Sequence, residues 1–391
     1  MTQILSAPYA PVSVHHPETL PGRLAESDSV SIDCYEHQIP PFVSNELVRL
    51  YGNFYASLPR LRMLGKLNNA STYAVRKGGE LITLFLFRIE RGRLEVLNEV
   101  IRIEEDEISR FATFVFAAFR SVHVISFRAV ELGVCRLGFV HQQYNYLEDI
   151  VVNLPGSSDD YLASLGKNTR RNMRRYLKLV NQNFSSYQFE TFIDDAINES
   201  QVKEIIAFNT ARMLAKNKIP SVSDLDAERM IKMARAGGMV CIVRIDDRIC
   251  AGSVSYRVGN NYFVNALAHD EQYNFYSLGV LCCYLTICEA ITRGGKEFHF
   301  SWGRYPYKYI FLGVQRDLDF LAIYRSPQQL FLNADLAFKV WLTARLRLTK
   351  LWLHELVQKE TRSGKMAVKF LSFARSLREL KASILRKFDR V

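Results

Sequence analysis

The sequence has no apolar run long enough to form a membrane-spanning helix. Its longest nearly uncharged stretch, Val280–Cys288, falls well short of the ~20 residues such a helix needs. The first twenty residues, MTQILSAPYAPVSVHHPETL, lack a basic segment followed by an apolar core, so no secretory signal is visible and a cytoplasmic protein is expected. No CxxC pair occurs. The seven cysteines, at 34, 135, 241, 250, 282, 283 and 288, are odd in number, and the last three sit within an apolar helical pattern. That argues against a metal centre or disulfide framework and for small buried thiols. With 48% hydrophobic, 12% aromatic and 23% charged residues, composition also excludes wholesale disorder, collagen and coiled coil. The 391 residues are enough for two to three domains at ~100–200 residues each.

Fifty-one basic against 40 acidic residues give a net charge of +11. From Trp341 to Val391 there are 13 Lys or Arg and 4 Asp or Glu, a local excess of 9, so most of the positive charge belongs to the C-terminal tail. Residues 1–40 have scattered Pro, Ser and His without periodicity and read as a loose lead-in. Helical spacing follows over 44–63. Then TYAVRK (72–77), ELITLFLFRI (80–89) and RLEVLNEVIRI (93–103) read as strands joined at Gly78-Gly79 and Arg91-Gly92. A helix over 104–119 and a strand over 122–130 complete the order β–β–β–α–β. The same order returns in MVCIVRI (239–245), RICAGSVSYRV (248–258), YFVNALAH (262–269), a helix from about Ser277 to Arg293 stopped by Gly294-Gly295, and KEFHFSW (296–302). Aligning Val75 with Val243 superposes the turns, which points to an internal duplication. Helical segments at 161–181, 199–216 and 225–236 separate the copies, and beyond Arg325 the pattern stays helical.

This element order is that of the GNAT acyltransferases. The chain resembles that superfamily, in particular its bacterial CelD-like double-domain branch, which is related to the Fem aminoacyl transferases. The resemblance is carried by LGKNTRRNMRRYLKL (165–179), AGSVSY (251–256), YSLG (276–279) and FSWGRYPYK (300–308), and it covers roughly residues 44 to 325. It implies an α+β fold of tandem GNAT halves, each a mostly antiparallel mixed sheet flanked by helices. The expected organisation is a lead-in over 1–43, a degenerate half over 44–160, a catalytic half over 161–325 and a basic helical tail over 326–391. The resemblance further implies an acyl-CoA, foremost acetyl-CoA, as co-substrate without a metal. The implied acceptor is an amine or hydroxyl, often a sugar or an intermediate of cell-surface polysaccharide assembly.

Physics gives a separate reason to look at one segment. Helix N-termini present unpaired N–H groups and the positive end of the dipole, which suits a phosphate. Asn274, Tyr276, Ser277, Leu278, Gly279 and Val280 lead into such an end, and the small Ser277 and Gly279 allow close backbone approach. The family's loop here, (Arg/Gln)-x-x-Gly-x-(Gly/Ala), is kept only in its last glycine, which leaves room for another acyl carrier. In the first copy the corresponding helix opens with Glu104, Glu105, Asp106 and Glu107, which would repel a pyrophosphate. The second half is therefore the expected catalyst.

Acyl transfer needs a base for the acceptor and a proton donor for the departing thiolate. Asp270, at the end of a strand beside the expected cleft, is a candidate base or acceptor anchor. By resemblance, Tyr307 is a candidate acid, with Lys308 completing the Tyr-Lys pair of this branch. His299 is an alternative base or acceptor contact, although a strand histidine is more often a core residue. Lys167, Arg171, Arg174 and Lys178 recur at helical spacing as a basic stripe, suited to an anionic acceptor or, equally, to a solvated helix face.

In the tail, FKVWLTARLRLTKLWLHELVQK (338–359) and KFLSFARSLRELKASILRKF (369–388) mix tryptophan, leucine and basic residues at helical spacing. Such helices can lie on an anionic membrane, here the inner face of the inner membrane. Docking on the body or on a second chain, giving a dimer, are the alternatives. Two further readings of function stay open: a Fem-like transferase using aminoacyl-tRNA, and a non-catalytic regulatory protein that keeps the fold.

Overall fold

The computed structural model describes residues 12–14, 30–215 and 222–358. Strands β1 (Val12–Val14) and β2 (Val30–Tyr35) lead to helix α1 (Val43–Tyr51), a 3-10 turn at Phe54–Ala56 and α2 (Leu58–Met63). Strands β3 (Ser71–Lys77), β4 (Glu80–Glu90) and β5 (Arg93–Val96) form a meander. Helix α3 (Glu105–Ala118) crosses over, β6 (Val124–Val130) returns parallel to β5, and the long β7 (Val140–Asn153) follows. The second half runs α4 (Ser158–Ser164), α5 (Lys167–Asn183), β8 (Gln188–Ile193), α6 (Glu199–Ala215), α7 (Asp224–Arg235), β9 (Gly238–Ile245), β10 (Arg248–Val258), β11 (Asn261–His269), a 3-10 turn at Glu271–Tyr276, α8 (Leu278–Thr292), β12 (Glu297–His299), α9 (Pro306–Ile310) and β13 (Val314–Tyr324). Helices α10 (Pro327–Leu332) and α11 (Ala334–Gln358) close the described chain.

The duplication is visible in the turns. The β3–β4 hairpin bends at Gly78 and Gly79 (φ 57° and 84°), the β9–β10 hairpin at Asp246 and Asp247 (φ 49° and 58°). Two consecutive positive φ values suit the twist of a two-residue hairpin; glycine adopts them freely, and aspartate is among the few other residues that tolerate them. β4 and β10 open 168 residues apart, as do β5 and β11.

All thirteen strands among the described residues join one mixed sheet in the order β1-β2-β3-β4-β5-β6-β13-β7-β12-β11-β10-β9-β8. The halves exchange their last strands. β7 follows β6 in sequence but pairs with β12, whereas β13 follows β12 but pairs with β6. The exchanged strands pair with each other antiparallel, from Val314↔Val151 to Tyr324↔Val140.

In the second half, α4, α5 and α8 cover one sheet face around Met173, Val180, Leu281 and Phe298. Helices α6 and α7 cover the other, around Ile205, Met230, Val240 and Phe263, and there Phe54 enters from the first half. Six of the seven cysteines are buried.

Three differences from the sequence reading stand out. The presumed loose lead-in contains β2, which pairs along its whole length with β3 and turns Ile32 and Cys34 inward. β7 and β13 have no strand signature in the sequence: their partners lie more than 140 residues away, and their half-polar faces show no clean alternation. The start of the tail docks on the body. Arg93 holds Asp335 at 2.7 and 2.8 Å, and Arg347 reaches Glu148 and Asn145 on β7. Residues 359–391, including the second amphipathic segment, lie outside the described residues.

Candidate active site of the second half

The site begins with a gap in the sheet. β11 pairs with β12 only at Asn261–Phe263, opposite Glu297–His299. Beyond that, the chain after β12 follows β7 instead, with Phe300 N donating to Ile150 O (2.8 Å). β11 continues to His269 beside β10, and the register shift there leaves Asn265 as an extra, bulged residue. Bulges bend strands and end pairing. The result is a strand edge over residues 264–268 with no β12 partner, inside the sheet. Unpaired backbone N–H and C=O groups in such a place call for a partner, and an amide-bearing chain can supply it by adding as a strand.

The first half lacks this opening. There Val100 N donates to Ala129 O (2.6 Å), Glu131 N to Ile101 O (2.8 Å) and Ile103 N to Glu131 O (3.1 Å), which rejoin the chain after β5 to the end of β6. Val100 and Ala129 adopt left-handed φ values of 57° and 54° to make that closure. Asn98, the counterpart of Asn265, is fully buried and accepts from Leu86 N at 2.7 Å. Asn265 is exposed and donates to Tyr256 OH at 3.0 Å.

The gap ends at the N-terminus of α8. Asp270 caps the preceding turn through Gln272 N (3.0 Å), and Ser277 enters α8 at φ 54°, a conformation that costs a non-glycine residue roughly 1–2 kcal/mol. A Cβ on Gly279 would lie 2.4 Å from His269 Nδ1, so the closeness of this ring to the first helical turn requires glycine. His269 Nε2 in turn donates to Asn274 Oδ1 (2.8 Å). The end of α5 braces the turn, with Phe184 edge-on to Tyr276 at 4.8 Å. Leu278 is a core side chain, so only its backbone is available to a ligand; Val280 is half-buried. No carboxylate stands in the first turn of α8. In α3 that turn holds Glu105, Asp106 and Glu107, and Glu107 Oε2 accepts from Glu104 N at 3.1 Å. The two helix ends are electrostatic opposites, as the sequence suggested.

Beyond β12 the chain curls tightly, with Ser301 at φ 55° and Gly303 at φ 90°. Lys308 holds the curl. Its ammonium donates to the carbonyls of Phe300 (2.9 Å), Ser301 (3.0 Å) and Trp302 (2.5 Å), and the residue is 2% exposed. Burial lowers its pKa to about 8, against the pull of Asp149 and Glu148. With all three donors engaged on these carbonyls, Lys308 acts as a strut that shapes the curl. Its neighbour Tyr307 lies half-buried against Phe300, ring centroids 5.8 Å apart. Burial raises its phenol pKa well above the ordinary value, so the hydroxyl carries a proton at neutral pH.

The acceptor candidates divide between the sheet faces. His299 points opposite to Phe298, stacks on Phe263 at 4.1 Å and is only 3% exposed. Its Nδ1 meets Asp149 Oδ2 at 2.7 Å; its Nε2 lies 3.1 Å from Glu297 Oε2, out of line for a good hydrogen bond. Burial works against its charge, but the two carboxylates outweigh burial and raise its pKa. Lys167, Arg171 and Arg174 stand exposed on α5, across the sheet. The structure does not bring them together with His299. Nor, among the described residues, does any hydrogen bond or ion pair join Asp270 to Tyr307 or Lys308.

Other residues of the site went unread in the sequence. Tyr55, from the first half, donates to or accepts from Ser301 Oγ (3.0 Å) and packs on Trp302 (4.7 Å) while Arg60 lies over its ring. Tyr55 and Ser301 are 246 positions apart, so no local pattern reveals the pair. For His269 a signal existed, because the glycine of YSLG implies something close above it.

Residues 167–309, from α5 to α9, match the family model described as Acetyltransferase (GNAT) domain. Among solved structures, FemX resembles the chain with a TM-score of 0.54 at 11% identity, covering 73% of this chain and 96% of FemX. L-PGS from Bacillus licheniformis gives 0.45 at 15%, covering 78% and 98%. A tandem GNAT protein from the clavulanic acid biosynthesis pathway gives 0.35 at 11%, covering 66% and 83%. Such identities speak to fold alone. No curated protein matches the chain.

Proposed function

From the premise that the chain carries a GNAT-type acetyltransferase domain, we propose that its second half transfers an acyl group, foremost acetyl, from an acyl-CoA to an amine or hydroxyl acceptor. One observation carries this reading: the second half has both an open strand edge and an uncharged helix N-terminus at the end of that edge, and the first half has neither. The amides of a pantetheine arm can pair along residues 264–268 while the pyrophosphate meets the backbone N–H groups of Leu278 and Gly279, since those of Ser277 and Val280 already donate to Asn274 O and Ser277 O. The acceptor attacks the thioester carbonyl, the new N–C or O–C bond forms as the C–S bond breaks, Tyr307 gives its proton to the leaving thiolate, and the proton released by the acceptor passes through solvent to restore the Tyr307 phenol. Asp270, already capping a turn, serves the shape of the donor end. Trp302, exposed and packed on Tyr55, offers an aromatic face suited to stacking a sugar ring, in keeping with a glycan or cell-surface polysaccharide intermediate as acceptor.

Isothermal titration with acetyl-CoA tests the donor. One site per chain is expected, abolished by Gly279→Trp and kept when Glu105 and Asp106 are changed to Gln and Asn. Absence of heat with any acyl-CoA would sink the reading. A second reading, a Fem-like transferase using aminoacyl-tRNA, draws support from the exposed basic stripe on α5, whose Lys167, Arg171 and Arg174 pair with no carboxylate among the described residues. Salt-sensitive co-purification of tRNA would favour it.

A further inference from the structure

Helix α11 meets the body with one face and leaves the other bare. Val340 is buried, and Arg347, on the same face two turns on, binds the carboxylate of Glu148 and, at 3.3 Å, Asn145 Oδ1. On the opposite side Phe338 (61% exposed), Trp341 (49%), Leu348 (56%) and Trp352 (58%) stand in water, continued by Phe331 (77%) and Leu332 (76%) of α10. Soluble proteins rarely leave so many large apolar groups bare in one patch. Phe338 and Trp341 stack at 5.8 Å, and Arg345 lies over the Trp341 ring. The exposed charges beside the patch are Lys339 and Arg345, both basic; the one acidic residue of the first turn, Asp335, is neutralised by Arg93.

We infer that this face of α10 and α11 lies in the surface of an anionic lipid bilayer. Three points select that occupant. Aromatic and aliphatic groups among basic ones are the composition of a helix lying in a headgroup layer. Charge complementarity favours acidic lipid, since the chain from Trp341 onward adds a net +9 on the same side of the sequence. A second copy docking by a two-fold axis would set each basic patch against its twin, an arrangement that repels. No described helix is long and apolar enough to cross a membrane, so the contact is peripheral. It also reaches inward. Glu148, which holds Arg347, accepts from Gly303 N (3.3 Å), so one carboxylate ties the lipid-facing helix to the loop carrying Tyr305 and Tyr307.

The test is co-sedimentation of the full chain with vesicles of phosphatidylcholine alone and of equal parts phosphatidylcholine and phosphatidylglycerol. Binding to the anionic vesicles only, weakened by salt, is expected. Trp341→Glu with Trp352→Glu should lower the partition coefficient at least ~tenfold. Arg345→Glu, which leaves the apolar face intact, should lower it about fivefold or more. Both sites are exposed, so an unchanged thermal midpoint confirms folding. Binding equal to wild type in the double variant would overturn the proposal. So would a chain that ignores both vesicles, or one that is a dimer in light scattering and becomes a monomer with the tryptophans replaced.

Discussion

Single side chains in this molecule are defined by partners far away in sequence. Tyr307 and Lys308 are neighbours in a short motif and were legible as a pair, yet three converging carbonyls turn one into a strut while the other's hydroxyl has no hydrogen-bond partner among the described residues. Replacing Tyr307 by Phe removes the donor and nothing else of size. We expect kcat for acyl transfer to fall by about 100-fold, within the range for general acids, with KM for the acyl-CoA little changed. A KM effect alone would assign Tyr307 to packing. His299 was legible as a residue but not in its role, because Asp149 is 150 positions away and on a strand the sequence concealed. Its raised pKa has a signed consequence. Stability from the His299 cluster is present in full below the ordinary imidazole value of ~6.5 and is lost as pH rises through the folded-state value. Glu297 behaves oppositely: the His299 ring close beside it and the pair with Arg316 outweigh burial and lower it to about 2, so its contribution is present above ~4.5 and fades towards that acid limit. Urea unfolding across pH should therefore show stability declining above pH ~6.5 in wild type, and His299→Gln should flatten that decline. An equal slope in both proteins would show that the cluster does not titrate as described.

Among the elements, β11 and α8 are the pair on which the proposed function rests, and each was legible for a local reason. β11 alternates and ends in a turn; α8 is apolar nearly all round and opens without acid. What the sequence concealed was their relation to β12. Whether two strands pair for three residues or for eight depends on a bulge at Asn265 and on β7 drawing the chain after β12 away, and neither has a signature within a window of ten residues. The same holds for β2. Its Val-x-Ile-x-Cys alternation was there to read, but the neighbouring Ser and Asp residues hid a six-residue strand whose pairing along its whole length comes from β3.

As a whole, the molecule is two copies of one plan that share their last strands. The duplication could be read from turn placement at an offset of 168 residues; the exchange could not, because it follows from tertiary pairing between β7 and β13. Sharing has a consequence for folding. A fragment of residues 161–325 leaves β12 without Val151–Asn153 and exposes the partner face of β13. We expect that fragment to lack a cooperative thermal transition in circular dichroism, and a fragment of 140–325, which regains β7, to recover one. Cooperative unfolding of both would mean that the exchanged strand is dispensable. Tyr55 of the first half also meets Ser301 Oγ of the second at 3.0 Å, so under the proposed function the first half would wall the site while its own cleft stays closed.

Hydrogen exchange of the intact chain with and without coenzyme A bears most directly on the asymmetry between the halves. The open edge and bare helix end predict slowed exchange over residues 264–268 and 277–281 when the ligand is present, with 98–107 unchanged. Protection at 98–107, or protection nowhere, would contradict it.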